Sequence, residues 1–401
     1  MTTVDLLAIG RARRYDTAVA LDRAGLLRTL FAGGYPGQLM RAALGAVRAN
    51  RSPAILGALT LRIPLGVASK RVRGVWAHMS PLGAALGRRA GYIEERERFS
   101  SLAGRRSRAP VVMAEQTEAL EAFRLAHARG AKTALIMTGV APAARESWLT
   151  GQGARWGGAI AEVHQLVGGG ALIDRERTEL ALADVIISPS TFVTRSLSDE
   201  AAVRSQAVVE VDWPLWGEDF AHSRLRVLRP GEPLRVLFAG RVGVGKGPLY
   251  LAEALAGLDR RSFRCRFVGE PVLPPPALER CQRVGELFGR VAPSAMAGCY
   301  SWADVVVLPS LYEGRARVGL EALAAGVPVI ATPNAGLPIS DGLEGLIVPP
   351  RDSAAIRAAL ERLMTEPNLL ARLSANALER AREQTIERYA AQLARVVEAC
   401  R

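Results

Sequence analysis

Two carboxylates and two cations stand at spacings that suit phosphate and hydroxyl chemistry. Glu313 and Glu321 lie eight residues apart in ADVVVLPSLYEGRARVGLEALAAGVP, residues 303–328. The apolar run Val305–Leu308 reads as a buried strand ended by Pro309 and Ser310. A helical pattern starts near Ala316 or Arg317 and closes at Gly326-Val327-Pro328. Glu313 therefore precedes a helix N-terminus, a place that favours anions, and Glu321 sits about two turns further on. Each carboxylate accepts several hydrogen bonds and so suits hydroxyl groups. A ligand carrying both phosphates and hydroxyls, such as a sugar nucleotide, fits the pair. Two Glu at this spacing also suit a plain solvated helix face, and it is the setting that favours the chemical reading.

The second constellation is RVLFAGRVGVGKG, residues 235–247. Val236–Ala239 reads as a short strand, Gly240 opens a glycine-rich loop, and Arg241 and Lys246 sit in that loop before a helical stretch, Leu249–Leu258. Lys246 is one of only three Lys (70, 132 and 246) against 49 Arg, so it is not background usage. Fixed cations here would stabilise charge growing on a departing phosphate. Gly240 to Lys246 also satisfies the opening of a nucleoside-triphosphate loop, G-x-x-x-x-G-K. That motif next needs Ser or Thr for magnesium, and Gly247 stands there instead. Asp304 starts the Val305–Leu308 strand, whereas a magnesium-binding Asp belongs at its end. An NTPase is thus the competitor from another class. A dinucleotide loop fits less well, because Pro248 stands where the third Gly of G-x-G-x-x-G belongs.

The order ADVVVLPS, then Glu313, then LEALAAGVPVIAT resembles the E-x7-E motif of the retaining glycosyltransferases of family 4, which have the GT-B fold. The resemblance runs over roughly residues 180–365 and is loose before residue 170. It implies that Arg241 and Lys246 hold the donor diphosphate and that Glu321 holds the ribose hydroxyls. Glu313, with the backbone of Gly314, Arg315, Ala316 and Arg317, would orient the donor sugar and phosphates. Gly240 would line the donor loop, and Gly289 and Arg290, in the Phe288-Gly-Arg-Val291 turn, would lie at the nucleobase. The catalytic set is then Arg241, Lys246 and Glu313, with a nucleoside-diphosphate sugar as substrate and neither metal nor cofactor. Family analogy favours front-face displacement, and no carboxylate is placed as a covalent nucleophile. An inactive scaffold of the same fold is the alternative.

Departures from the family pattern leave acceptor and sugar undefined. Gly139 and Val140 follow the strand Lys132–Thr138, where relatives carry a His. The first strand ends in a single Gly10 before Arg11. Arg315 and Arg317 replace apolar or small residues and would suit an anionic donor sugar such as a uronate. Gly10, Glu115, Thr117 and Thr138 are the acceptor-region candidates. For Glu115 and Thr117 an exposed strand end capping the next helix is the plain alternative.

The elements that must hold these residues alternate between strand and helix. Strands are expected at Val4–Ile9, Pro110–Ala114, Lys132–Met137 and Asp184–Ile187. Helices are expected at Asp16–Leu30, Thr117–Arg129 and Arg175–Ala183, with another starting at Val193–Leu197. Pro271–Pro276 reads as a loop. This alternation predicts an α/β chain with parallel sheets covered on both faces. Asp184-Val-Ile-Ile-Ser-Pro-Ser190 echoes Asp304-Val-Val-Val-Leu-Pro-Ser310, as two similar halves would. The expected GT-B organisation is a Rossmann-like acceptor domain over 1–212 and a linker over 213–233. A Rossmann-like nucleotide-sugar domain follows over 234–383, the two sheets facing a central cleft. A final helix, 384–401, would pack back on the first domain, as in relatives.

At 401 residues and 49% apolar content the chain can fill two cores. Cys265, Cys281, Cys299 and Cys400 form no metal or redox spacing, which suggests a reducing compartment. The four His, His127 among them, show no ligand spacing. Asp5 and Arg11–Arg14 argue against a secretory leader, and Arg62 and Pro64 break the longest apolar stretch. Residues 1–110 hold 19 Lys and Arg against 6 Asp and Glu, so the whole net charge of +13 lies there. Such charge, interleaved with apolar residues, suits an anionic membrane face, and family members often glycosylate lipid-linked acceptors. An anionic polymer or a merely solvated basic face would also explain it. No nucleic-acid module is recognisable. The expected place is the cytoplasm, peripheral on the inner face of the plasma membrane, acting on a glycan or lipid-linked acceptor for polysaccharide synthesis.

Overall fold

A computed structural model describes residues 2–9, 15–33, 67, 69–75, 92–150, 152–156, 169–216, 223–229, 231–366 and 368–400. Two sheets carry the chain. The first holds β1 (Val4–Ala8), β2 (Leu27–Gly33), β3 (Val72–Val75), β4 (Val111–Glu115), β5 (Lys132–Ile136), β6 (Val185–Ser188) and β7 (Ala207–Glu210), in the order β3-β2-β1-β4-β5-β6-β7. The second holds β8 (Leu234–Ala239), β9 (Phe263–Val268), β10 (Glu286–Gly289), β11 (Val305–Leu308), β12 (Val329–Ala331) and β13 (Gly345–Ile347), in the order β10-β9-β8-β11-β12-β13. Neighbouring strands pair in parallel in both sheets. The central strand β11 is apolar along its whole length because both faces are covered, and all four of its residues are at most 1% exposed. In each sheet the order reverses beside the first strand, at β1 and at β8. Ligands of such sheets bind outside the C-terminal edge at this point.

One expected element is wrong. The helix at Asp16 ends at Arg23, and Leu27–Gly33 is β2 rather than a continuation to Leu30. Leu26 N–H bonds back to Leu21 C=O (2.9 Å) across Gly25 at φ +70°, a left-handed stop that the apolar spacing alone does not reveal. The proline run is also shorter than expected as a loop, since Pro275 opens the helix Pro275–Val284.

The described part of the chain between the sheets is held rather than free. Arg226 is fully buried, and its guanidinium donates to the carbonyls of Ala303 (2.8 Å), Tyr300 (2.9 Å) and Arg224 (3.0 Å). Burial without a carboxylate partner pulls its pKa down to about 10. The last helix, Ile386–Ala399, packs against the helix Asp16–Arg23 of the first sheet's layer. Thr17 Oγ1 and Tyr389 Oη share a buried hydrogen bond of 2.8 Å there.

Gly10, Arg88 and Arg89 lie outside the described residues, as does much of the basic first quarter. Within the described part, Lys70, just before the edge strand β3, and Arg73, within it, are exposed, whereas Arg71 pairs with Asp22 and Arg28 with the buried Asp5 (3.2 Å). Among the described residues no helix is long and apolar enough to cross a membrane.

Candidate functional site

The glycine-rich loop and the Glu313 loop meet because β8 and β11 are neighbours. Leu311 N–H donates to Gly245 C=O (2.8 Å) and fixes one loop on the other. Gly247 stands at φ +69°, and a Cβ there would lie 2.0 Å from Pro309 C=O. Only glycine permits that approach, which turns the chain into the helix Pro248–Ala256 with Lys246 at its mouth. From the other side, Thr332 Oγ1 donates to Ser310 C=O (2.7 Å) and Asn334 Nδ2 to Leu311 C=O (2.6 Å). Ser310 Oγ donates to Glu313 Oε1 (2.7 Å), and the second carboxylate oxygen is ion-paired with Lys246 Nζ. Glu313 is 7% exposed and Lys246 32%, so the pair lies at the border of protein and cavity.

The first sheet closes the other wall. Thr138 and Gly139 follow β5, and both backbone N–H groups are held by Gln116 Oε1 (3.2 and 3.1 Å). Gly314 abuts them so closely that a Cβ would stand 2.3 Å from Thr138 C=O. Ser190 Oγ, at the end of β6, donates to Gly314 C=O (2.6 Å). Between these walls is a cavity of about 480 Å³, into which Arg241 and Lys246 bring positive charge against the single carboxylate of Glu313. Tyr312, Gly245 and Leu273 are also in its lining. Burial pushes the Tyr312 phenol up, opposed by the charges of Arg145 and Arg241, so it stays a neutral donor. A cavity of about 610 Å³ at the opposite ends of β8 and β9 contains none of the motif residues.

The structure thus gathers Arg241, Lys246, Glu313, Gly314, Arg315 and Thr138 round one space. Other candidates stand apart from its lining. Glu321 spends Oε2 on Tyr300 Oη (2.8 Å) and Oε1 on Arg317 Nε (3.1 Å). Burial and the adjacent Glu321 push the Tyr300 phenol well up, so it remains the donor. Arg317 reaches across to Asp16 Oδ2 (2.9 Å), and Ala316 N–H is used by Ala335 C=O (2.8 Å). Arg315 lines the cavity, but its guanidinium points away, to Pro189 C=O and Asp212 (2.8 Å), and burial lowers its pKa. In the resting protein both guanidiniums of the arginine pair expected for an anionic sugar are bonded to protein groups. Gly240, Gly289 and Arg290 lie at the C-terminal edge of the second sheet, outside the cavity lining.

Thr117 is buried rather than an exposed strand end. Its N–H donates to Glu179 (2.6 Å), its hydroxyl accepts from Arg96 (2.9 Å) and its carbonyl accepts from Arg175 (2.8 Å). Glu115 ends β4 and is 9% exposed, also off the cavity. Among the described residues no group of His, Cys, Asp or Glu is arranged to hold a metal ion. Sequence reasoning missed Tyr312, Gln116 and Gly139. Tyr312 had a signal, its place beside Glu313, and so had Gly139, which follows Thr138 where relatives carry a His; Gln116 had none without the fold.

The NTPase competitor loses its ground. Asp304 sits at the far end of β11 and is gripped by Arg235 through Nε (3.0 Å) and Nη2 (2.9 Å). A Ser or Thr at position 247 has no room.

The family model for glycosyl transferases group 1 matches residues 233–366. A D-inositol 3-phosphate glycosyltransferase of Frankia alni is 33% identical over 282 residues, 58% of this chain and 68% of its own length. One of the same description from Streptomyces bingchenggensis is 35% identical over 40% of this chain and 39% of its own length. The chain spans less than half the length of the first such relatives it matches. Among solved structures, sucrose-phosphate synthase from Thermosynechococcus elongatus superposes with TM-score 0.68 at 17% identity, covering 99% of this chain and 98% of that one. The Anabaena HepE protein in complex with UDP-glucose superposes with TM-score 0.61 at 13% identity over all of both chains. At those identities the likeness is one of fold, and the fold is GT-B. The chain belongs to the group 1 glycosyl transferases, family 4 of the GT-B glycosyltransferases.

Proposed function

We propose that this chain moves a sugar from a nucleoside diphosphate to an acceptor hydroxyl, without a metal and with retention at the anomeric carbon. The observation that carries the reading is the Lys246–Glu313 ion pair inside the cavity, because it joins the two sequence motifs at one point beside Arg241. A donor diphosphate would draw Lys246 from Glu313 and leave that carboxylate for the donor sugar's hydroxyls. Arg241 and Lys246 then stabilise the charge that grows on the β-phosphate as its bond to the anomeric carbon breaks. The acceptor oxygen bonds to that carbon from the same face, and its proton passes to a phosphate oxygen. The packing of Gly314 on Thr138 and Gly139 would help to keep water out. Titration with UDP-, GDP- and ADP-sugars, with and without EDTA, followed by melting temperature and product analysis, tests this. One donor should stabilise the protein whether or not EDTA is present. Failure of all three to bind would leave the inactive scaffold.

A lipid-linked glycan or polysaccharide precursor as acceptor, at the inner face of the plasma membrane, belongs to the same proposal. It is supported by the excess of basic residues in the first quarter of the sequence. Cosedimentation with anionic but not zwitterionic vesicles, abolished by high salt, is the expected behaviour.

A further inference from the structure

Tyr312 is a cavity-lining side chain whose polar atom the resting structure leaves unused. Its hydroxyl makes no hydrogen bond to any described residue, although the ring is partly buried between the two sheets' cores. The oxygen lies over Gly245, next to Lys246. A Cβ on Gly245 would come within 2.9 Å of both the hydroxyl and the ring carbon that bears it. The glycine thus makes the space that lets a phenol lie on the phosphate side of the loop. The charges nearest to it in effect are Arg145 and Arg241, with Glu313 opposing them. Arg145 is itself fixed by Glu176 (2.6 Å) on the helix Gly169–Leu182. A neutral hydroxyl among cations complements a ligand that only accepts hydrogen bonds.

We propose that Tyr312 Oη donates a hydrogen bond to an oxygen of the donor's diphosphate and is a further donor-binding and catalytic residue of this site. The inference rests on the nucleotide-sugar reading above. It assigns Tyr312 a role that neither sequence motif contains. A hydroxyl without a partner in the resting protein costs nothing to remove there, whereas its bond to an anion is lost only in the complex.

The test is Tyr312→Phe, which keeps the ring against Gly245. Melting temperature without ligand should match the wild type. Of UDP, GDP and ADP, the one that binds the wild type should bind the variant about tenfold or more weakly. The matching free nucleoside should bind both proteins equally, a result that general damage to the site would not give. Turnover of the corresponding nucleotide sugar should fall at least as far, through kcat as well as KM. Equal diphosphate affinity overturns the role of Tyr312 and leaves the nucleotide-sugar reading standing. A variant that melts several degrees lower, or loses nucleoside and diphosphate affinity alike, shows the hydroxyl to be structural and also overturns it. Absence of diphosphate binding by the wild type sinks both.

Discussion

Lys246 of the glycine-rich loop is ion-paired with Glu313 of the loop after β11, across 67 residues of sequence. Neither side chain is free in the resting protein, so each must be understood through the other. Lys246 keeps a nearly buried carboxylate satisfied, and Glu313 holds the ammonium at the mouth of the cavity. Lys246→Ala should abolish detectable donor binding and lower transfer by at least about 100-fold, the order lost when a fixed charge donor to a developing anion is removed. Ser310 still donates to Glu313, so folding should survive with a loss of about 1 to 3 kcal/mol. Denaturant melts and isothermal titration read the two effects separately. Full activity in this variant would dismantle the proposed site.

Gly247→Ser rebuilds the sequence of a nucleoside-triphosphate loop without its geometry. The new Cβ would meet Pro309 C=O at 2.0 Å, at a backbone φ of +69°. The φ strain and the clash with a backbone carbonyl should together cost about 3 kcal/mol or more, visible as a lower melting temperature, and no magnesium-dependent ATP hydrolysis should appear. Release of phosphate from ATP by this variant would show that the loop can adopt the competing form.

Local pattern made part of this legible. β11 and the start of the helix Arg317–Ala324 were readable because apolar runs and stop residues act within a few positions. Lys246 stood out against an arginine-rich background. The destinations of the long side chains were not readable. Arg317 ends on Asp16, Arg315 on Asp212 and Pro189, and Glu321 on Tyr300, all choices made by tertiary placement. Likewise Leu26, Leu27 and Leu30 continue the apolar spacing of the preceding helix and fit a strand equally well. The left-handed stop at Gly25 decides between them.

Glu179 gives the fold a pH dependence of known sign. Burial raises its pKa to about 7, against the opposing effects of Arg175 and three backbone N–H donors at the start of the helix Leu120–His127. A raised folded-state pKa means that the folded protein holds this proton more tightly than the unfolded chain. Its contribution is favourable below the ordinary carboxylate range near 4.5 and is lost as pH rises to about 7. The burial of Glu118, raised in the same direction, adds to the trend. Urea midpoints should therefore fall between pH 4.5 and 7, and Glu179→Gln should flatten part of that slope. An unchanged slope would assign it elsewhere.

Arg315 decides how firmly the Glu313 loop is tied to the first sheet. Its side chain is 3% exposed and donates to Pro189 C=O and to Asp212, which Arg388 of the last helix also grips at 3.1 Å. One planar guanidinium spans two acceptors on different elements, a task that a single ammonium cannot repeat. Arg315→Ala should cost about 3 kcal/mol, since it strips partners from buried groups, and Arg315→Lys should recover less than half of it. Arg388→Ala should cost under about 1 kcal/mol, as its pair with Asp212 is half exposed. If the tie positions Glu313, kcat should fall in Arg315→Ala and Arg315→Lys while binding of the free diphosphate changes little. Arg241 and Lys246, which face that ligand, keep their places on the other loop. A double-mutant cycle between Arg315 and Asp212 isolates the pair from the Pro189 contact. A coupling near zero, with kcat intact, would mean that packing of Gly314 on Thr138 alone sets the loop.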